Sequence, residues 1–317
     1  MVEIFKRQDR FEWIDYLKMC AALLITNSHC QNIYPLSYLS VGGTFGNALF
    51  FIISGYLLIN IRTSFITWYY NRVKRLLPST LLCLSVNVIF FLDDDIQNFT
   101  DFKKVVVYYL DLYWFVWTIL IYYMIYFPII RQALIRKSVK PITITLFVWI
   151  VGYIVLYSIY LHQNNKSFFV ELSGFDFFKV YNYFGVFILG ALFRTLQNKF
   201  HCKTCLALLL CISGACIWAF EYGMIYFYNQ YYSVQFIIHL GVLIFAFFAI
   251  VLFSQLKIRK VKIVSLIASS TLEIYLMQIT FLALSLYFSF PVNWICHFSI
   301  AFIGGVLFHL ALNKLYV

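Results

Sequence analysis

Ten apolar windows dominate this chain: 13–34, 46–61, 77–92, 105–130, 141–160, 179–195, 205–222, 234–253, 263–288 and 291–313. Each has about the length an α-helix needs to cross the hydrocarbon of a bilayer. With every backbone N–H and C=O obliged to find a partner inside lipid, a run of this kind reads as a helix. The composition agrees: 63% of residues are hydrophobic and 12% are charged, against roughly half and a quarter in soluble domains. The expected fold class is an all-α integral membrane protein of about ten transmembrane helices in one bundle. The spans nearly consume the chain, so a single membrane-embedded domain over 1–317 is expected, with no appended soluble domain.

The loops set the orientation. Alternate loops are basic: Arg62 with Arg72, Lys74 and Arg75; then "RQALIRKSVK"; then Arg194, Lys199 and Lys203; then "KIRKVK". The other set is neutral or acidic: "PLSYLSVGGTF", "DDDIQNFTD", "NNKSFFVELSGFD", "EYGMIYFYNQYY" and "SFPVN". All but four of the 24 Lys and Arg fall on one side, the four being Lys103, Lys104, Lys166 and Lys179. The positive-inside rule then puts both termini in the cytoplasm. The net charge of +11 comes from this topology and carries no argument for nucleic acid. The N-terminus has the basic start of a signal peptide, but Asp15, Lys18, Asn27 and His29 interrupt the following run, so no cleavage is expected. The fourth window is long for one span. Its start, "VVVYYLDLYWF", is expected to lie at the interface or to re-enter, because Asp111, Tyr113 and Trp114 are polar or interfacial types.

Ionisable residues inside spans are rare and mark functional sites by default. In "TNSHC", Thr26 to Cys30, His29 lies eleven residues after Lys18. On one helix that is about three turns, or roughly 16 Å, on a shared face. Neutral imidazole suits general-base work; a histidine satisfied by a neighbouring helix is the alternative. Adjacent helical residues point about 100° apart, which disfavours a Cys30–His29 nucleophile pair. In "YYNRVKRLLP", Arg72 and Arg75 are at i, i+3 and form a guanidinium pair suited to phosphate; ordinary cytoplasmic charge is the alternative. Pro78 is expected in the first turn of the next span. In "FFIISGYLL", Ser54-Gly55 is a small pair expected to allow close helix approach or a kink. In "SSTLEIYLMQ", Glu273 either orients a base, pairs with an arginine, or meets the cytoplasmic headgroups. His201-Cys202 with Cys205 is an incomplete ligand set, so no metal is expected. Phosphate loops, zinc-protease helices and nucleophile elbows do not occur.

In chain order, the residues are Lys18 followed by His29; "FFIISGYLL" at 50–58; Arg72-x-x-Arg75 leading into Leu77-Pro78; "YWFVWTILIYYMIYFPII" at 113–130; and "SSTLEIYLMQ" at 269–278. This set resembles the acyltransferase-3 family of membrane-bound O-acyltransferases, which decorate bacterial surface glycans. The resemblance covers nearly the whole chain. It implies a ten-span core in the bacterial cytoplasmic (inner) membrane and no permanently bound cofactor. The co-substrate it implies is a cytoplasmic acyl-CoA, usually acetyl-CoA. The acceptor it implies is a hydroxyl of a surface polysaccharide, such as capsule or lipopolysaccharide, or of a lipid-linked glycan. By resemblance, His29 is the essential catalytic residue, Lys18 its basic partner, and Arg72 and Arg75 engage the CoA donor. Relatives often have His where this chain has Gln278, a departure that touches any second-histidine role there and leaves His29 untouched. With no extracytoplasmic hydrolase-like domain, the chain is expected to transfer directly or to rely on a partner.

The expected chemistry is that His29 takes the proton from the attacking hydroxyl, or relays the acyl group as an acyl-histidine. Asn27, Ser28 and Ser54 are the oxyanion candidates, and Glu273 is a positioning residue. Partners are the lipid bilayer, acyl-CoA and the glycan, with no nucleic acid; homo-oligomerisation is left open. The rival reading is a transporter or glycan exporter, in which His29, Lys18 and Glu273 would line a relay. A glycan polymerase is disfavoured by the short outer loops.

Overall fold

A computed structural model describes residues 11–91, 113–162, 177–200, 202–228, 231–280 and 287–315. The acidic loops at 93–101 and 164–176, together with Lys103, Lys104, Lys166, Asp111 and His201, lie outside these residues. The described residues contain helices and no strand. The helices are α1 (Glu12–Ser28), α2 (Gly43–Leu57), α3 (Phe65–Phe91), α4 (Trp114–Ile135), α5 (Lys140–His162), α6 (Phe177–Leu196), α7 (Thr204–Tyr228), α8 (Tyr231–Gln255), α9 (Lys262–Ser269), α10 (Thr271–Thr280), α11 (Val292–Ser299) and α12 (Gly305–Leu315). A 3-10 turn, Ser37–Leu39, precedes α2, and one π turn, Ile300–Gly304, joins α11 to α12.

Five stretches are long and apolar enough to cross a membrane: Ser37–Leu57, Trp114–Ile135, Lys140–Ile159, Phe236–Gln255 and Val292–Lys314. The pair α9 and α10 makes a sixth if counted as one bent span. The chain is therefore a helical, multi-pass membrane protein.

Three windows differ from the sequence reading. The first span was expected to run to residue 34, yet α1 stops at Ser28. Its last carbonyls find partners in side chains and turn amides: Ser28 Oγ donates to Ile25 O (2.7 Å), Cys30 Sγ to Thr26 O (3.5 Å) and His29 N to Thr26 O (3.2 Å). Short polar side chains of this kind compete with the helix ladder. The third span was expected to open near Pro78, yet α3 runs through it from Phe65. Proline removes one amide bond from a helix; here the helix continues on both sides, and Thr80 Oγ1 donates to Leu76 O one turn away (2.9 Å). The ninth window was expected to be one helix, yet it bends by 64° at Ser270. Ser269 and Ser270 both turn their hydroxyls back onto Leu266 O (2.8 and 2.9 Å), and Thr271 reaches Ala268 O.

The helices fall into two compact units interleaved along the chain. The first comprises Met1–Leu17, Asn47–Thr63 and Tyr122–Ile258. Inside it α2 and α6 touch backbone to backbone. A Cβ on Gly55 would strike the Phe187 carbonyl, and one on Gly190 would strike the Ile52 carbonyl. This bears out the close-approach reading of Ser54-Gly55. Tyr126 donates to Gly55 O (2.7 Å), and Phe51, Tyr122, Tyr183 and Phe187 form the aromatic core around the crossing. Helices α7 and α8 pair along their lengths.

The second unit comprises Lys18–Gly46, Ser64–Ile121 and Arg259–Val317. In it α10 packs on α3 and α12. Ser79 meets Glu273 (3.2 Å), and Asn87 meets Thr280 (3.2 Å), so α3 and α10 run parallel. The buried hydroxyl of Tyr113 closes the Asn87 end of this seam, 2.7 Å from Asn87 Nδ2 and 3.0 Å from Thr280 Oγ1. Such interhelical polar bonds hold helices together where lipid supplies no competing partner.

Candidate active site

Most of the candidate residues lie in the second unit. Lys18 is on α1 and half-buried; His29 is half-buried and sits one residue beyond the helix end. The shared-face relation expected for this pair does not apply, because His29 lies in a turn. Helical phase therefore does not aim its ring. Ser54 belongs to the first unit.

The chain after His29 is a built structure. Asn27 Nδ2 donates to Leu39 O (3.0 Å) and Val41 O (2.9 Å), and Asn27 Oδ1 accepts from Tyr34 OH (2.6 Å). Ser40 Oγ reaches the carbonyls of Asn27 (3.1 Å) and Ser28 (2.8 Å). From α11, Trp294 Nε1 donates to Tyr34 OH (2.8 Å) and Asn293 Nδ2 to Ile33 O (3.3 Å). Gly42 closes the loop at φ 107°, a left-handed conformation that favours glycine, where a Cβ would meet Leu24 at 2.8 Å. Both amide protons of Asn27 hold the loop, and the Ser28 hydroxyl donates to Ile25 O.

On α3, Arg72 and Arg75 differ in setting. Arg72 is half-buried with its guanidinium 5.4 Å from the buried Trp68 ring, a cation–π distance, while Arg75 is exposed. Ser79 continues the same helical stripe, about 6 Å past Arg75. It donates to Glu273 Oε1, and His309 Nδ1 from α12 lies 3.2 Å from Glu273 Oε2. Asn313 Nδ2 is 2.9 Å from His309 Nε2. An amide nitrogen only donates, so Nε2 accepts and Nδ1 carries the proton toward the carboxylate. Of the three roles open to Glu273, this contact is of the first kind: its carboxylate holds a histidine inside the helix bundle of its own unit.

Five residues beyond Glu273, Gln278 faces another way. Its Oε1 accepts from Thr26 Oγ1 of α1 (2.6 Å), and both residues are buried. His297 of α11 is buried too. Sequence reasoning singled out His29 and passed over His297 and His309. The same cost of a histidine at membrane depth applied to both, so the signal was present. It also passed over Arg194, read only as cytoplasmic charge. In the first unit Arg194 Nη1 donates to Tyr56 OH (2.8 Å), and its guanidinium covers the rings of Phe11 and Tyr56 at 4.9 Å. Among the described residues no group of three or more His, Cys, Asp or Glu is placed to hold a metal ion.

A multi-span helical chain that buries Glu273, Gln278 and His297 among its helices is a polytopic membrane protein with a polar interior. The family comparison names its kind: the acyltransferase-3 family model, described as an acyltransferase domain, matches residues 11–314. The chain belongs to that family and is a membrane acyltransferase. Neither the curated proteins nor the solved structures gave a match.

Proposed function

We propose that this protein transfers an acetyl group from cytoplasmic acetyl-CoA to a hydroxyl of a surface or lipid-linked polysaccharide, in the bacterial inner membrane. It crosses the membrane ten times with both termini cytoplasmic, in keeping with the loop charges. The observation that carries the reading is the family match over nearly the whole chain, which also favours it over the exporter. Arg72 and Arg75, at the cytoplasmic start of α3, bind the phosphates of CoA; forked guanidiniums suit that geometry. His29, with Lys18 in support, acts as catalytic base or as the acyl relay. As base, it takes the proton of the attacking hydroxyl; the C–O bond forms, the C–S bond breaks, and the proton passes to the thiolate.

The test is a comparison of cells with and without the gene, with O-acyl groups on the extracted envelope glycan measured by mass spectrometry. The reading expects acetyl esters that vanish on deletion and return with the wild-type gene. Identical acyl content in both strains refutes it.

A further inference from the structure

A tight turn follows His29. The amides of Ile33 and Tyr34 both bond Cys30 O at 3.0 Å, so the chain folds straight back and Tyr34 starts beside the residue next to His29. The Tyr34 hydroxyl donates to Asn27 Oδ1 (2.6 Å) and accepts from Trp294 Nε1 (2.8 Å). The Phe290 ring lies against Tyr34, with centroids 6.1 Å apart. Three rings, one from the loop after α1 and two from around the start of α11, are therefore contiguous, and all belong to the second unit. Phe290 is 46% exposed, and Tyr34 and Trp294 are half-buried.

Tyr and Trp at a membrane surface ordinarily turn their polar tips toward water and headgroups. Here the tips are spent on the protein: the indole N–H meets the phenol, and the phenol meets Asn27. What these rings leave at the surface is carbon. An exposed apolar patch of this kind marks a binding surface. The segments 30–46 and 287–296 hold no Asp, Glu, Lys or Arg. The exposed polar side chains nearest His29 in the turn are two amides, Gln31 and Asn32. Ring carbon beside neutral amides suits a sugar. The C–H face of a pyranose packs on an aromatic face, which is negative and attracts it, while amides donate to and accept from hydroxyls. A uronic acid or a phosphate would find no cation in these segments. A lipid chain would leave both amides unanswered.

We infer that Tyr34, Phe290 and Trp294 form a platform that docks an uncharged sugar ring of the acceptor beside His29. The inference rests on the acyl-transfer reading and specifies its acceptor side. Asn27 is the positioning residue, since it holds Tyr34 from two residues before His29.

The test uses the full-length protein in liposomes, radiolabelled acetyl-CoA at saturation, and the host's own extracted surface polysaccharide. The variants are Phe290→Ala, Trp294→Leu and the ring-keeping Phe290→Tyr. The platform predicts that Phe290→Ala and Trp294→Leu each raise the KM for the polysaccharide about tenfold. It predicts an unchanged KM for acetyl-CoA, and Phe290→Tyr close to wild type. Raising NaCl from about 0.05 to about 0.5 M should leave the wild-type KM for the polysaccharide within about twofold, because an uncharged sugar has nothing to screen. An unchanged polysaccharide KM in Phe290→Ala overturns the platform and leaves the rings as interfacial anchors. A lowered kcat at wild-type KM overturns it too, since that is packing alone. A polysaccharide KM that climbs severalfold with salt overturns the uncharged sugar. Failure of wild type to label the polysaccharide overturns the acyl-transfer reading itself, which distinguishes the two failures.

Discussion

Glu273 offers a graded test of the polar chain in the second unit. Its carboxylate receives two donors, Ser79 Oγ at 3.2 Å and the Nδ1–H of His309 at 3.2 Å. Glu273→Gln keeps the shape but leaves one acceptor oxygen. His309 cannot change its tautomer without losing Asn313, so it retains that oxygen. Ser79 can rotate and accept from the new amide. The net loss is two charge-assisted bonds weakened to neutral ones, about 1–2 kcal/mol. Glu273→Leu removes both acceptors. Ser79 can turn back to a carbonyl of its own helix, as Thr80 does, but His309, half-buried, keeps an unanswered N–H. That variant should lose about 2–4 kcal/mol, near the range for breaking a buried pair. The assay is the midpoint of thermal unfolding in detergent, followed by size-exclusion fluorescence. Leu below Gln below wild type is expected, with Glu273→Leu/His309→Leu recovering part of the loss. Glu273→Leu as stable as Glu273→Gln would show that the carboxylate carries no such pairing.

Three further outcomes follow from named contacts. Asn27→Ala should loosen the segment 33–41 by about 2–3 kcal/mol, since three hydrogen bonds go; faster amide exchange there is the readout, and unchanged protection would sink the loop role. Gly55→Ala should lower the melting temperature by forcing α2 and α6 apart, an overpacking cost of about 1–3 kcal/mol; an unshifted melt would mean the crossing can widen freely. Arg72→Gln and Arg75→Gln should each raise the KM for acetyl-CoA about tenfold; unaltered KM values would leave both as topology charges.

The broad fold was legible because lipid leaves backbone groups few options. Ten apolar windows read as helices, and every described window is helical in whole or part. Polar residues near the ends of windows were harder. Thr26 to Cys30 read as the continuation of a span, yet α1 ends there, with the side chains of Ser28 and Cys30 bonding its last carbonyls. Ser269 to Thr271 did the same to the ninth window. Pro78 misled in the other direction, because helical neighbours on both sides carry α3 past the missing amide bond. At the site, single residues were legible and their partners were not. Glu273 was flagged, but its bond to His309 joins residues 36 apart in the chain. Gln278 was noted as a departure, but its bond to Thr26 spans 252 residues. Spacing within one helix could not reach either pair.

The most direct measurement of the central claim is label transfer by purified protein in liposomes. Wild type and His29→Ala, matched for insertion and melting temperature, receive radiolabelled acetyl-CoA and the host's extracted surface polysaccharide. The account predicts acid-stable, base-labile label on the glycan with wild type, and a rate lower by about a hundredfold or more with His29→Ala, the scale of a lost general base. Equal labelling by the two proteins would contradict it.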